Sequence, residues 1–328
     1  MAVNRDTSRP AFEQSLPFER RLIELEYALD KASSEVDRRK LVIELERERK
    51  EVFENLTPWM RVQLARHPLR PKMLDYTTRV FDDFIELHGD RLSGDDAAMV
   101  GGLGRFQGRT VMVVGQQKGN TTEEKLSRQF GMAHPSGYRK AMRLFQTAER
   151  LHIPIVTFVD TPAAHPGVDA EAGGQGNAIA TNLLGMLGLK IPVLSVVIGE
   201  GGSGGALGIA VGDWIAMLEH AIYVICPPER CAEILWRDVE KKEMAASALR
   251  VTARELKELQ VLDEVLPEPS GGAHRNADAA AKSVAEVIER FLADCDRGRW
   301  TPEARQQKFQ RMGAWVEHEI EERAEVGQ

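Results

Sequence analysis

One glycine-rich segment, Ile198 to Ala210, restricts the possible folds of this chain more than any other stretch. The residues before it, 191–197, are apolar and rich in valine, which predicts a buried β-strand. Small apolar residues at 206–211 predict the first turns of a buried helix. The glycines therefore lie where a strand passes into a helix, and they let another group approach the backbone closely. Unpaired N–H groups at such a junction predict a site for an anion or a developing oxyanion.

Three other glycine-rich sites fit this segment less well, and a plain flexible turn is a fourth alternative. A nucleotide-binding P-loop ends in Gly-Lys-Ser/Thr, but no lysine lies between Gly199 and Gly212. A dinucleotide-binding loop could begin at Gly199, but such a site needs an acidic residue about 20 positions later, at the end of a second strand. This chain has no acidic residue in that place. The nucleophile-elbow pattern Gly-x-Ser-x-Gly occurs at 201–205, but a run so rich in glycine matches it almost automatically.

The composition predicts a protein of a reducing compartment with one large domain and appended segments. The chain has 328 residues, 43% of them hydrophobic, which is ample for a core. Its net charge of −7 argues against non-specific nucleic-acid binding. Its three cysteines form no CxxC pair, so neither a disulfide framework nor a metal site is expected. No secretory signal or membrane span is predicted, and we expect a cytoplasmic location.

We expect four parts along the chain: a disordered tail at 1–16, a helical segment with a basic linker at 17–95, a core at 96–298 and a helical tail at 299–328. The helical segment begins with a charged hairpin that breaks near Ala32 and ends at Thr57-Pro58. A subunit contact and a solvated surface helix explain this hairpin equally well. The basic loop at 66–72 offers its side chains to phosphates, with a solvated linker as the alternative, and an amphipathic helix is predicted over 74–87.

The core begins with a predicted β-hairpin at 100–116, after which helices and strands alternate. Alternation of this kind predicts an α/β fold whose strands are buried on both faces. The predicted helices are 136–152, 170–187, 229–236, 276–295 and 301–312, and the predicted strands are 155–159, 191–197, 221–225 and 261–266. The loops after the strands at 155–159 and 191–197 carry small residues and precede helices. If these strands are parallel neighbours, both loops lie at the same edge of the sheet.

A series of motifs then identifies a family. They are Gln63–Pro68, Gln117–Gly119, Phe130–Met132, Gly137–Ala141, Ile198–Leu207, Pro267–Pro269 and Gly271–Arg275. In this order they resemble the alpha subunits of acetyl-coenzyme A carboxylase carboxyltransferases, the multi-subunit type of bacteria and plastids. The resemblance spans about Gln63 to Arg275, and several motifs in order are far more specific than any one of them.

The resemblance implies a crotonase-like (ClpP/crotonase) α/β fold, a spiral of repeated ββα units with an N-terminal helical segment and C-terminal helices. It implies a beta subunit of related fold, which carries the zinc, in an α2β2 assembly. It further implies a biotin carboxyl carrier protein and a biotin carboxylase as partners. Neither a membrane nor a specific nucleic acid is expected to bind.

The implied reaction transfers the carboxyl group of carboxybiotin to acetyl-CoA and gives malonyl-CoA, the first committed step of fatty acid synthesis. No protein base is strictly required, because the biotin anion itself can take the proton from acetyl-CoA. The protein must stabilise two oxyanions, and each backbone donor is worth roughly 3 kcal/mol. By resemblance, the alpha-subunit hole lies in Gly204, Gly205 and Ala206 and faces the biotin ureido oxygen. Gly205→Val is expected to lower turnover far more than stability.

Further substrate contacts are expected from residues of the basic loops and the glycine segment: Lys118, Gly201, Gly202, Ser203, Arg66, Arg70 and Arg275. For the charged residues among them, an internal or interface salt bridge is the alternative role. The acyl-chain preference is not encoded in any of these residues.

The loop after the predicted strand at 155–159 departs from the family pattern. Where the family commonly has glycine, tyrosine, glutamate and arginine, this chain has Ala163, His165, Ala172 and Gly173. If the first position requires φ > 0, alanine there costs about 1 kcal/mol. The sequence therefore assigns no definite role in the site to the loop residues Ala163, Ala164, His165 and Gly167.

Two other functions remain as alternatives. One is a non-catalytic scaffold or regulatory subunit of the same complex, which the altered loop favours and the intact glycine segment opposes. The other is a stand-alone crotonase-fold acyl-CoA hydratase or hydrolase, which needs a base or acid beside the hole. A hydratase works alone, whereas a carboxyltransferase alpha subunit needs its partner.

Overall fold

A mixed sheet of eight strands runs through the molecule, with most strands side by side in chain order. The structure is a computed structural model that describes residues 14–313. Most of the predicted tail at 1–16 and the end of the predicted tail at 299–328 therefore lie outside the described residues. The strands are β1 (Asp83–Glu86), β2 (Met99–Phe106), β3 (Arg109–Gln116), β4 (Ile155–Thr161), β5 (Val193–Gly202), β6 (Trp214–Leu218), β7 (Ile222–Val224) and β8 (Glu264–Leu266).

The helices cover the sheet and form both ends of the described chain. They are α1 (Arg20–Lys31), α2 (Glu35–Glu54), α3 (Pro58–Ala65), α4 (Met73–Val80), α5 (Thr122–Ser127), α6 (Pro135–Arg150), α7 (Val168–Ala172), α8 (Gln175–Gly188), α9 (Ser203–Leu207), α10 (Pro228–Trp236), α11 (Lys242–Ala248), α12 (Ala253–Glu258), α13 (Ala277–Asp296) and α14 (Pro302–Arg311). Short 3₁₀ turns occupy Pro17–Glu19, Gln129–Gly131 and Val239–Lys241. Within residues 14–313, no helix combines the length and the apolar character needed to cross a bilayer.

The central strand β5 pairs with different neighbours along its length. Its first half lies parallel to β6, whereas Glu200–Gly202 lie parallel to β7. The pairing of β4 with β5 also shifts, because Val159 opposes Val197 while Thr161 opposes Gly201. The sheet therefore splits at the end of β5, and it carries the glycine segment to the edge where β4 also ends. This is the shared edge that the sequence predicts for the two loops.

Strand burial follows the prediction for an α/β core. Every residue of β4 and of β5 is buried, and α6 packs across β2 and β3 with Tyr138, Leu144 and Phe145 fully buried. Such strands bury both faces, so their sequences read as continuous apolar runs.

Four predicted elements are wrong in detail. The helix predicted over 170–187 is interrupted after Ala172 and resumes at Gln175, because Gly174 between the two parts has a left-handed φ of 83°. The predicted helix at 74–87 ends at Val80, and β1 follows as an edge strand of alternating exposure. The helix predicted from the apolar run 206–211 ends at Leu207, and the strand β6 that follows is not among the predicted strands. Thr57-Pro58 does not simply end the hairpin. The Thr57 side chain accepts a hydrogen bond from the Met60 N–H and begins α3, with Pro58 at the first helical position.

Candidate functional site

The first turn of α9 lies directly after β5, where the sequence predicts an anion site. The helix has only five residues, and no side chain caps its beginning. The N–H groups of Ser203, Gly204 and Gly205 lie in its first turn, where a helix provides no acceptor. By the same rule the Ala206 N–H is the first that the helix can use itself. Ser203 holds a left-handed φ of 49°, which a non-glycine residue rarely adopts.

The loop after β4 lies directly against these glycines. A Cβ atom built at Gly205 would lie 2.3 Å from the Ala164 nitrogen, and one built at Gly202 would lie 1.9 Å from the Pro162 oxygen. Only glycine permits so close an approach. Among residues 14–313, no backbone oxygen accepts a hydrogen bond from the Ala164 N–H. The two loops therefore bring unpaired N–H groups together at one edge of the sheet.

Close packing at Gly205 changes one expectation. A larger side chain there must displace the backbone of Ala163 and Ala164. We therefore expect Gly205→Val to lower stability as well as turnover, in contrast to the expectation from sequence alone.

The altered loop residues are accommodated without the expected strain. Ala163 is absent from the residues with positive φ, so alanine there carries no left-handed penalty. Its nitrogen and oxygen both bond the Thr161 hydroxyl, at 3.3 and 2.6 Å. His165 stacks on His134 with ring centroids 4.0 Å apart, and its Nδ1 accepts the Gly167 N–H at 3.1 Å. Ala163 and His165 therefore both have specific contacts within the loop and with its neighbours.

Lys118 lies at the centre of a charged network beside this edge. Its Nζ lies 2.8 Å from Asp160 Oδ1 and 2.7 Å from Glu200 Oε1. Burial alone would lower the pKa of Lys118, but the two carboxylates outweigh burial and raise it above its ordinary value. Burial would raise the pKa of Glu200, but Lys118 and Arg66 hold it below its usual range. Both groups therefore stay charged near neutral pH.

Arg66 extends the network to a cavity of about 420 Å³. Its Nε donates to Glu200 Oε2 at 2.7 Å and its Nη1 donates to Glu229 Oε1 at 2.5 Å. The lining of the cavity combines five basic residues with apolar residues that include Phe130, Met132 and Pro162; the basic residues are Arg66, Arg70, Lys72, Lys118 and Lys125. Apolar surface beside charged groups suits a small planar ligand that carries a polar oxygen.

The two other predicted basic contacts face protein carboxylates. Arg70 is 3% exposed, and it binds both oxygens of Glu268, at 3.0 and 2.5 Å, and the Ile198 carbonyl at 2.8 Å. Arg275 Nη1 donates to Glu26 Oε2 at 2.8 Å, away from the glycines. These contacts match the salt-bridge alternative, and direct substrate binding by either residue stays a prediction.

Three groups of described residues have ligand atoms close enough for a metal ion. They are Glu19, His67 and His274; His134, His165 and Asp169; and the more exposed group Glu86, His88 and Asp95. In the first, His67 Nδ1 accepts the Leu69 N–H at 3.1 Å. Its proton therefore lies on Nε2, the atom 3.8 Å from Glu19 Oε2. His165 Nδ1 is likewise occupied as an acceptor. Hydrogen bonding accounts for these nitrogens without an ion.

Four polar residues at this edge were not among the predicted site residues: Gln116, Tyr138, Asp160 and Glu200. Gln116 and Asp160 are buried polar residues at the ends of apolar strands, and this position was the available signal. Glu200 is the only acidic residue within the glycine segment, which was a second signal. The burial of Tyr138 against Gly205 has no counterpart in the sequence pattern.

The sequence is similar to a known protein family along nearly its entire length. Residues 12–313 match the family described as acetyl co-enzyme A carboxylase carboxyltransferase-like. An acetyl-coenzyme A carboxylase carboxyl transferase subunit alpha from Geobacter metallireducens is 49% identical over 317 residues, 94% of this chain and 100% of the relative. The corresponding subunit of Thermosynechococcus vestitus is 50% identical over 92% of this chain and 97% of the relative.

Solved structures share the fold at lower sequence identity. Transcarboxylase 12S, with methylmalonyl-coenzyme A bound, has a TM-score of 0.55 and 22% identity over 67% of this chain. The beta subunit of P. aeruginosa geranyl-CoA carboxylase has a TM-score of 0.56 and 15% identity over 76% of this chain. This chain spans 41% and 46% of those chains, respectively. These likenesses confirm the crotonase-like fold that the sequence predicts.

Proposed function

Because the chain belongs to the acetyl-coenzyme A carboxylase carboxyltransferase family, with alpha subunits among its relatives, we propose that it forms the alpha half of a carboxyltransferase that converts acetyl-CoA to malonyl-CoA. Carboxybiotin, delivered as a substrate by a carrier protein, supplies the carboxyl group and an anion that accepts the proton of acetyl-CoA. The chain's own task is to bind the biotin ring and to stabilise negative charge on its oxygen.

This proposal rests on the close contact between the glycine segment and the loop after β4. Gly205, whose N–H lies in the unpaired first turn of α9, packs directly against Ala164, whose N–H has no backbone acceptor among residues 14–313. Backbone donors brought together in this way stabilise an oxyanion. The Ala206 N–H, also expected in the hole, lies one position beyond the unpaired groups of the first turn. The cavity of about 420 Å³ reaches Pro162 of the loop after β4 and Glu200 of the glycine segment, and we propose that the biotin ring binds in it.

The charged network of Lys118, Asp160, Glu200 and Arg66 lies beside the proposed biotin site. Lys118 is fixed by Asp160 and Glu200, and an ammonium group with three donors has one N–H left to donate to the bound ring. Because Glu200 is also bonded to Arg66, its carboxylate is neutralised by two cations. Water is limited in this network, since Lys118 is largely buried and its neighbour Glu200 is buried.

A beta subunit completes the proposed enzyme. It would hold acetyl-CoA and its enolate, and it would carry the zinc, in an α2β2 assembly with a biotin carboxyl carrier protein and a biotin carboxylase. The proposed location of this complex is the cytoplasm. The stand-alone hydratase or hydrolase alternative needs a free base or acid beside the hole. No described residue forms a hydrogen bond with the Ser203 hydroxyl, and the Asp160 and Glu200 carboxylates are both paired with Lys118.

The test is malonyl-CoA decarboxylation coupled to carboxylation of biocytin. It is run on this chain alone, on a beta subunit alone, and on the two mixed. We expect activity only in the mixture. Activity of this chain alone would overturn the shared site. A stable complex without activity would favour the scaffold alternative and would point to Ala163, His165, Ala172 and Gly173.

A further inference from the structure

Gln116, the last residue of β3, is fully buried although its side chain is an amide. Its Nε2 donates to the Gly205 carbonyl at 3.0 Å, and its Oε1 accepts the Asp160 N–H at 3.1 Å. One buried side chain therefore connects α9 to the end of β4. A buried amide is retained only when its polar atoms are bonded, so these contacts explain its burial.

The Gly205 carbonyl needs such a partner because α9 ends too early to supply one. Beyond the helix, the Gly208 N–H bonds the Gly204 oxygen and the Ile209 N–H bonds the Ala206 oxygen. No backbone N–H among residues 14–313 is paired with the oxygen of Gly205 in this way. Its donors are the amide of Gln116 and the hydroxyl of Tyr138, which lies 3.2 Å away in the buried face of α6.

A helix of five residues does not hold its own direction in a protein. Helices much shorter than about 12 residues are marginal without tertiary contacts. The direction of the N–H groups at the start of α9 therefore depends on what holds the rest of the turn. Gln116 and Tyr138 hold the carbonyl of Gly205, the same residue whose N–H lies in the proposed hole.

The second bond of Gln116 fixes the neighbouring loop. Asp160 begins the segment that leads through Pro162 to Ala164, and Gln116 accepts its N–H. Asp160 Oδ1 in turn accepts the Glu200 N–H at 2.9 Å and contacts Lys118. The amide thus sets the spacing between the two loops whose unpaired N–H groups meet.

We propose that Gln116, assisted by Tyr138, is a positioning residue that aligns the two halves of the oxyanion hole through the Gly205 carbonyl. It touches no substrate, and it acts on the rate by fixing the direction and spacing of the backbone donors. This inference rests on the proposed function of the glycine segment.

The test compares three variants in the complex with a beta subunit. Gln116→Met removes both hydrogen bonds at similar volume, and Tyr138→Phe removes only the second donor. The matched control is Thr157→Val, which breaks the buried bond between Thr157 and Ser195 (3.0 Å) in the same sheet, away from the hole. We measure kcat and KM of malonyl-CoA decarboxylation, thermal stability, and amide exchange of the peptide covering 203–209.

We expect Gln116→Met to lower kcat about 10- to 100-fold with KM changed less than about twofold, since misdirected donors lose transition-state contacts. Tyr138→Phe should lower kcat by a smaller factor, and Thr157→Val should lower stability alone. A kcat for Gln116→Met no lower than that of Thr157→Val would overturn the proposal. If Gln116→Met does not fold, unchanged kcat in Tyr138→Phe would overturn it.

An inactive parent complex would instead contradict the proposed function. Amide exchange then still decides the positioning role. Faster exchange at 203–209 in Gln116→Met than in Thr157→Val supports it, and equal exchange overturns it.

Discussion

Gly205 is the residue at which the two halves of the site meet. Gly205→Ala places a methyl group 2.3 Å from the Ala164 nitrogen, so the loop after β4 must move away. We expect kcat of the assembled enzyme to fall roughly 100-fold, the loss found when one hole donor is removed. Steady-state decarboxylation of malonyl-CoA measures it.

The control for this variant is Gly176→Ala in α8, where an added methyl group contacts nothing within 4 Å. We expect that variant to keep full activity and to gain a little helix stability. Equal activity in the two variants would contradict a hole at Gly205.

His220 makes stability depend on pH. Burial is the main cause that lowers the pKa of His220 from 6.5 to about 4. The charge of Arg61 lowers this pKa further, whereas the charge of Glu268 raises it. Its Nδ1 lies 2.7 Å from Arg61 Nη1, which donates to the neutral ring. The unfolded histidine takes up a proton as the pH falls through 6.5, whereas the folded one stays neutral until about 4. The free energy of unfolding therefore decreases by about 2 kcal/mol from pH 7 to pH 5 because of this residue.

His220→Asn should remove this part of the pH dependence, because the asparagine oxygen can still accept from Arg61 but does not titrate. Urea unfolding at pH 7 and pH 5 measures the difference. Glu268, which also faces His220, has a pKa lowered to about 2 and does not titrate in this window. A variant with the same pH dependence as the parent would show that other groups cause it.

Sequence reasoning predicts the junction of strand, glycines and helix but not the residues that support it. The pattern alone predicts an anion site in this segment, whereas the choice of Gly204 and Gly205 for the proposed hole follows from the family resemblance. The partners of Lys118 and the role of Gln116 depend on which strand ends become neighbours. In strands buried on both faces, alternation does not reveal where a side chain points, so a buried glutamine there looks like any other polar interruption.

At the scale of elements, α14 is held to the core by Arg305. Its guanidinium is 2% exposed and binds both oxygens of Asp213, at 3.0 and 2.6 Å. It also donates to the carbonyls of Met186, Leu189 and Ile191. The helix begins where predicted, because the Thr301 side chain accepts the Ala304 N–H.

Arg305→Met should lower the free energy of unfolding by about 3–5 kcal/mol, because it leaves the buried Asp213 without its cation. Chemical denaturation measures the change. Arg311→Met, on an exposed position of the same helix, should change stability by less than about 0.5 kcal/mol. Similar losses in both variants would mean that the buried ion pair does not anchor α14.

Capping residues predict where helices begin more reliably than hydrophobic spacing predicts whether a segment is a helix or a strand. Asn276 caps α13 as expected. The residues Val80, Phe81, Phe84 and Ile85 have helical spacing, yet the chain becomes the edge strand β1 after Val80, and Ile85 is 63% exposed. Pairing with β2 stabilises that strand. The local sequence alone does not show that β2 will lie beside it.

At the scale of the whole molecule, Glu19 fastens the N-terminal hairpin to the core. It is 1% exposed, and His274 Nε2 lies 2.8 Å from its Oε1 while Arg275 Nε lies 3.7 Å from the same atom. Within the hairpin, Leu22, Leu25 and Leu45 form a small core of their own.

Glu19→Ala should loosen the hairpin while leaving the sheet folded, because it leaves His274 without its carboxylate and Arg275 with Glu26 as its remaining partner. We expect trypsin to cleave within 20–54 roughly 10-fold faster than in the parent, since local opening governs proteolysis. Glu24→Ala, whose pair with Arg21 is half exposed, should leave the cleavage rate unchanged. Equal rates in the two variants would show that Glu19 does not fasten the hairpin.

The contacts of Arg305 also have a consequence for synthesis on the ribosome. Residues 186–213 are made long before residue 305, so the acceptors that it will fill remain unmatched while the remainder of the chain emerges. A polypeptide that stops short of α14 keeps the buried Asp213 carboxylate without its cation and exposes the apolar surface around it, which makes it a target for chaperones and proteases. We therefore expect chains that lack α14 to be removed before they can join an assembly.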